Sequence, residues 1–238
     1  MSEVSYKAVV NTALAEIGYQ GSSKSSKYSA DLDKVKFYNY PKQGAASWCA
    51  IFYDWCVWKN CPDQSVDYAR SILCEPNTDN CGAGCTQKVQ YYKSKNRYYT
   101  KHSDATTGDE IFFKKSNGAV YHTGIIVDWD SKGFYVVEGN TDGNKVAKHF
   151  YSYGDSKIAG FGRPDWYKYQ EASKPAPAPV VTKPSSEYTD AEIQAAYDCI
   201  EGKYGNGMTR GNNLQKAGFD YYRVQGLVNK ILKGQFKR

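Results

Sequence analysis

Cys49 stands between a tryptophan and an alanine in GAASWCAIFYDWCVW, residues 44–58, where an apolar helical pattern begins. With Ser47 as the N-cap, Cys49 falls in the first helical turn. There, unpaired backbone N–H groups and the positive end of the helix dipole favour a thiolate. A cysteine is also a small hydrophobe that is commonly buried, and the helix alone favours that plainer role. Nucleophilic work requires a base and a third group that orients the base.

Both partners come from one pair of strands. His122 lies in YHTGIIVDW, joined by a short turn around DSKG to GFYVVEGNT, so the two segments are expected to form an antiparallel hairpin. A turn centred near residue 130 or 131 brings His122 opposite residue 138 or 140, which are Glu138 and Asn140. Strand alternation puts both on the face of His122. A carboxylate or amide there fixes the imidazole tautomer and stabilises the imidazolium, as cysteine–histidine hydrolysis needs. His102 and His149 have no comparable partner in the sequence and are expected at the surface or in packing.

The elements that must hold these groups follow from periodicity. SYKAVVNTALAEIGY places Val9, Ala13 and Ile17 on one helical face, and SWCAIFYDWCVWK places Trp48, Ile51, Phe52, Trp55 and Trp58 on another. TQKVQYYKSK is a third helical candidate. From Gly108 onward DEIFFKK, AVYHTGIIVDW, GFYVVEGNT, KVAKHFY and IAGFG are short, β-branched or aromatic, and separated by turn residues. Helices followed by an antiparallel meander predict an α+β domain over residues 1–168. Residues 169–187 hold four of the eight prolines and read as a semi-rigid spacer. Residues 188–238 read as three short helices, the first capped by Asp190 and ending at Gly205, the second ending at Gly218, the third capped by Asp220. This small domain has no histidine and its single Cys199 falls within a helix, which favours ligand binding over chemistry.

Composition narrows the surroundings. Of 238 residues 41% are hydrophobic and 15% aromatic, ample for a core. The net charge of +6 and sequence pI near 8.7 suit anionic surroundings such as cell-wall polymers, nucleic acid or acidic lipid, but the charge is dispersed, against dedicated nucleic-acid binding. No apolar run is long enough to span a bilayer. The N-terminal segment carries Glu3 and Glu16 and reads as an amphipathic helix rather than a signal peptide, so the chain is expected to stay in the cytoplasm until something else releases it. The seven cysteines, 49, 56, 61, 74, 81, 85 and 199, are odd in number. Their C-x6-C-x3-C and C-x4-C spacings lack the tight pairs of zinc sites, and no metal or other cofactor is expected.

SWCAIFYDW, GDEIFF, HTGIIV and VVEGNT occur in the order and approximate spacing of the CHAP peptidoglycan hydrolases, the cysteine, histidine-dependent amidohydrolases/peptidases, which residues 5–166 resemble. The resemblance implies a papain-like fold with Cys49 as nucleophile, His122 as base and then acid, Glu138 as its orienter and Asn140 as a supporting group. The papain-like pattern also implies Gln43 as an oxyanion donor. Trp48 and Tyr121 are candidates for the substrate groove, whereas Trp55 falls on the buried stripe. Some CHAP domains bind calcium just upstream of the cysteine, where Asp31 and Asp33 lie here, without an EF-hand pattern. IEGKYGNGMTRGNNLQKAGFDYYRVQGLVNKIL resembles the CW-seven cell-wall-binding repeat, a three-helix module of phage lysins. That implies peptidoglycan as partner, with Arg210 on a muropeptide carboxylate and Tyr204, Tyr221 and Tyr222 stacking on sugars; packing of these tyrosines in the core is the alternative. Together the resemblances imply an endolysin released by a holin to lyse Gram-positive hosts, as an N-acetylmuramoyl-L-alanine amidase or a stem-peptide or cross-bridge endopeptidase. A catalytically inactive wall-binding protein and a cytoplasmic peptidase acting on protein are the competing expectations. One binding repeat gives little avidity, which self-association would supply through the small domain or through a second product started at Val180 or Val181.

Overall fold

The computed structural model describes residues 4–166, 188–205, 207–232, 234 and 236. The chain divides into two compact units, residues 1–102 with 106–173 and residues 174–238 with 103–105. The expected spacer at residues 169–187 lies outside the described residues.

The larger unit is α+β. Helices α1 (Tyr6–Ala15), α2 (Lys27–Lys34), α3 (Cys49–Lys59), α4 (Val66–Ile72) and α5 (Cys85–Ser94) precede an antiparallel sheet. Its strands are β1 (Tyr98–Tyr99), β2 (Glu110–Lys114), β3 (Val120–Trp129), β4 (Gly133–Thr141), β5 (Lys145–Ser152) and β6 (Ile158–Gly162), in the order β1-β6-β2-β3-β4-β5. The five segments expected as a meander are β2 to β6, but β6 returns to lie beside β2 instead of following β5.

The sequence pattern of α3 suggests one apolar stripe, yet every residue from Cys49 to Trp58 is buried. A helix apolar on all sides belongs inside a core. Asp54, the one acid in that run, is satisfied rather than exposed. Its carboxylate accepts from the Tyr38 hydroxyl (2.7 Å) and pairs with the ammonium of Lys88. Lys88 also reaches Glu75 Oε1 (2.7 Å) and Glu110 Oε2 (3.4 Å). This buried cluster ties α3, α5, β2 and the segment at Glu75 together. It thereby sets the starts of α3 and α5 relative to each other.

The smaller unit contains α6 (Asp190–Ile200), α7 (Gly207–Lys216) and α8 (Tyr221–Leu232) around Ile193, Ala196, Cys199, Leu214, Val224 and Leu227. Thr189, not Asp190, is the N-cap of α6, because Thr189 and Glu192 form a reciprocal capping box. The helix ends at Ile200 rather than Gly205; Gly202 and Gly205 both adopt positive φ beyond it. Asp220 does cap α8, accepting from the Arg223 N–H (3.1 Å).

Candidate active site

Cys49 is the first residue of α3, which starts one residue later than a Ser47 cap requires. Trp48 is the N-cap residue and offers no side-chain capping bond. The first-turn N–H groups are thus left without a side-chain cap, and the Ala50 N–H donates to the Cys49 sulfur. Trp48 is not a groove residue: its side chain is fully buried, its indole N–H donates to Ser22 O (2.7 Å), and it packs against Tyr19 and Tyr28. It anchors the start of α3 instead. On β4, Gly139 lets that anchor come close, since a Cβ there would lie 2.6 Å from Phe52 Cβ and 2.9 Å from Trp48 Cζ3.

The hairpin brings the expected base and orienter together. Strands β3 and β4 pair Ile125 with Val137, so one step further Gly124 faces Glu138. Glu138 then runs diagonally to His122, and its Oε2 lies 2.7 Å from His122 Nε2. A side chain at position 124 would occupy that path: a Cβ there would sit 2.6 Å from Glu138 Cγ. With Nε2 engaged, Nδ1 is the ring nitrogen left for Cys49.

Asn140 does not join this group. The pairing of β4 with β5 shifts between Glu138 and Thr141, and Asn140 takes a left-handed conformation (φ 58°) that breaks the alternation. Its Nδ2 donates to Ser23 O (3.1 Å), so it fastens the loop before α2. His149 holds the place expected of a second polar group. Its Nδ1 lies 3.0 Å from Glu138 Oε1, which also accepts from the Tyr151 hydroxyl (2.8 Å), and its Nε2 lies 2.9 Å from Asp142 Oδ2. The expectation of a surface or packing role for His149 is thus overturned. Sequence spacing concealed the contact because it arises between β4 and β5, through the pairing of Val136 with His149, and not within the β3–β4 hairpin. His102 stacks on Tyr153, in keeping with a packing role.

The electrostatics favour a charged pair. A hydrogen bond from the Cys85 thiol, together with the hydrogen bond and charge of His122, holds Cys49 well below the usual thiol range, against the opposing effect of burial. Burial disfavours a charged His122, but Cys49 and Glu138 outweigh it and lift the imidazole to about 10. Both shifts act in the direction of a thiolate beside an imidazolium. Cys85 Sγ lies 3.6 Å from Cys49 Sγ, and Cys85, like Cys49, is the first residue of its helix. The Cys49 contact and burial push the Cys85 thiol up, so it remains protonated and donates. All seven cysteines are free and buried.

Cys49 opens onto a cavity of about 410 Å³ lined by Tyr40, Lys42, Cys85, Gln87 and Tyr121 among others. Tyr40 and Tyr121 are both well exposed at this cavity. Tyr121 was expected there, whereas Tyr40 carries no sequence signal. Gln43 does not line the cavity. Its Oε1 accepts from the Ser26 N–H (3.2 Å), and its own N–H donates to Asp33 (2.9 Å). Asp33 thus shapes the approach to α3, while Asp31 accepts from Trp55 Nε1 (3.1 Å). Among the described residues no group of three or more His, Cys, Asp or Glu is arranged to hold a metal, and no helix is long and apolar enough to cross a membrane.

In the smaller unit Arg210 turns inward rather than outward. Its guanidinium donates to Gly205 O (3.0 Å), Cys199 O (3.2 Å) and Gln225 Oε1 (2.7 Å), closing the end of α6 onto α7 and α8. Tyr204 and Tyr221 are partly buried against the core, which favours the packing alternative; the side chain of Tyr222 lies outside the described residues. The sequence of this unit matches a family model over residues 194–232. Those residues are a CW_7 repeat. The CW_7 repeat is of cell-wall-binding type, and it suggests that the protein associates with cell-wall components. No curated protein matches the sequence. One solved structure, "The crystal structure of Ly7917", is similar at 15% identity and a TM-score of 0.43, over 68% of this chain and 63% of that one.

Proposed function

We propose that the larger unit is a cysteine–histidine hydrolase of the CHAP kind, cleaving an amide bond in bacterial peptidoglycan to which the CW_7 repeat brings it. The observation that carries this is a linked set whose first member lines the cavity: Cys49 at a helix start, His122 bonded to it, and Glu138 fixed on His122 at 2.7 Å. A buried acid that orients a histidine beside a low-pKa cysteine is what nucleophilic catalysis requires and what packing does not.

In this mechanism Cys49 Sγ attacks the carbonyl carbon, and the oxyanion is held by the first-turn N–H groups of α3. His122 gives its proton to the leaving amine as the C–N bond breaks, leaving a thioester. Water then attacks the thioester, His122 takes its proton, and the acid product leaves with the thiolate restored. Amidase and endopeptidase activity use the same groups. Release from the producing cell's cytoplasm by a holin belongs to the same proposal, as does lysis of a Gram-positive host.

The test is Cys49→Ala in the full chain, with purified walls. Solubilisation of wall fragments is expected to disappear while co-sedimentation with walls persists. Mass spectrometry of the wild-type digest identifies the bond; a digest with every amide intact would remove the hydrolase assignment.

A further inference from the structure

The ring of His149 lies between two carboxylates, with Glu138 Oε1 3.0 Å from Nδ1 and Asp142 Oδ2 2.9 Å from Nε2. Ionised carboxylates only accept hydrogen bonds. A neutral imidazole has one N–H, so one of its nitrogens would point a lone pair at a carboxylate oxygen about 3 Å away. Only the imidazolium satisfies both contacts. We propose that His149 is a positioning residue for the candidate active site, a cationic clamp between Glu138 and Asp142 that fixes the carboxylate on which His122 depends.

This rests on the hydrolase assignment for its catalytic meaning, but the clamp itself is a property of the side chains. Glu138 is 1% exposed and accepts from three groups. His149 and Tyr151 hold Oε1, leaving Oε2 directed at His122. Without them the carboxylate is free to rotate about its terminal torsion, which is soft. The groups that face His149 are Glu138 from β4, Asp142 from the β4–β5 turn, and Tyr151 on its own strand, its ring centroid 6.3 Å away. Burial disfavours the charge on His149, and the two carboxylates more than compensate, raising its proton affinity. His149 does not touch Cys49, so its influence passes through Glu138 and His122.

Two measurements on the full chain test the clamp. In the wild-type protein, NMR of the histidine rings is expected to show His149 doubly protonated at pH 7, with its titration above that of a free histidine; a His149 that is neutral at pH 7 overturns the proposal. The second measurement is the rate of Cys49 alkylation by iodoacetamide as a function of pH, which needs no wall substrate. With Cys49 as the reference site by peptide mapping, His149→Gln is expected to move the thiolate titration upward by about one pH unit, a tenfold rate loss on its acid limb. His149→Lys, which restores a cation between the carboxylates, is expected to recover most of that shift. A His149→Gln profile that overlays the wild type, in protein that melts as the wild type does, overturns the proposal. Failure of wall hydrolysis by the wild type would instead overturn the hydrolase assignment, while the histidine and alkylation titrations would still decide the clamp.

Discussion

Gly124 is the position where a single methyl group should damage both the fold and the site. In Gly124→Ala the new Cβ would lie 2.6 Å from Glu138 Cγ, 2.6 Å from Val136 Cγ1 and 3.0 Å from Val137 O. Ordinary carbon contacts are about 3.5–4.0 Å, so two carbons are overlapped by about 1 Å. Val137 O belongs to the strand backbone and cannot yield. Relief must come from Val136 changing rotamer or from Glu138 swinging away, and the second breaks its 2.7 Å contact with His122. Overpacking of this kind costs about 1–3 kcal/mol. For a domain of this size each kcal/mol lowers Tm by about 2–4 °C, so a fall of about 2–12 °C is expected by circular dichroism. Loss of the orienting carboxylate should also slow wall lysis by at least about tenfold, or about 1.4 kcal/mol in the barrier. Gly154→Ala is the control, because a Cβ there meets nothing within 4 Å and needs no positive φ. A Gly124→Ala protein with the melting temperature and lysis rate of the wild type would refute the packing logic that places Glu138.

Three further outcomes are expected. Lys88→Met leaves Asp54, Glu75 and Glu110 buried without their cation, and should cost about 3–5 kcal/mol in urea denaturation at neutral pH. In the wild type, burial raises Glu75 to about 8 and Glu110 to about 7. The folded state therefore holds protons that the unfolded chain releases near its ordinary carboxyl pKa. The stability these two groups contribute is full below that value, falls as pH rises above it and is gone once pH passes through 7 to 8, so Glu75→Gln should flatten the decline of Tm between the ordinary carboxyl pKa and about pH 8; an unchanged slope would contradict it. Oxidised glutathione should link Cys49 to Cys85, whose sulfurs are 3.6 Å apart: one thiolate takes a glutathione, the other thiol displaces it, and two glutathione thiols are released. Intact mass should show loss of two hydrogens, reversed by dithiothreitol, and Cys85→Ala should carry a glutathione adduct instead; an adduct on the wild type would count against the pair.

Much of the site was legible because its signals are local. The antiparallel hairpin follows from two β-rich segments around a short turn, and strand alternation then places Glu138 on the side of His122. Cys49 at the start of α3 follows from the apolar run that begins there. The three helices of the CW_7 repeat are likewise marked by their caps and terminal glycines, with boundaries displaced by a few residues where a capping box competes with a neighbouring acid.

Contacts between elements distant in sequence were decided by the fold. Trp48 reads as a groove aromatic beside a nucleophile, but closure of α3 on Gly139 buries it. Arg210 reads as a ligand for an anion, but three acceptors within its own unit hold its guanidinium against the end of α6. Asn140 satisfies the alternation rule on paper, and a left-handed backbone at that residue removes it from the face. Cys85 and His149 carry no signal at all, since one depends on how Lys88 aligns two helices and the other on the register of β5. Sequence by itself determined which residues could act and on which local element each stands, because periodicity and turns are short-range. Tertiary structure alone decided which of them meet, because burial, register shifts and the packing of one helix start against another are set by contacts no spacing records.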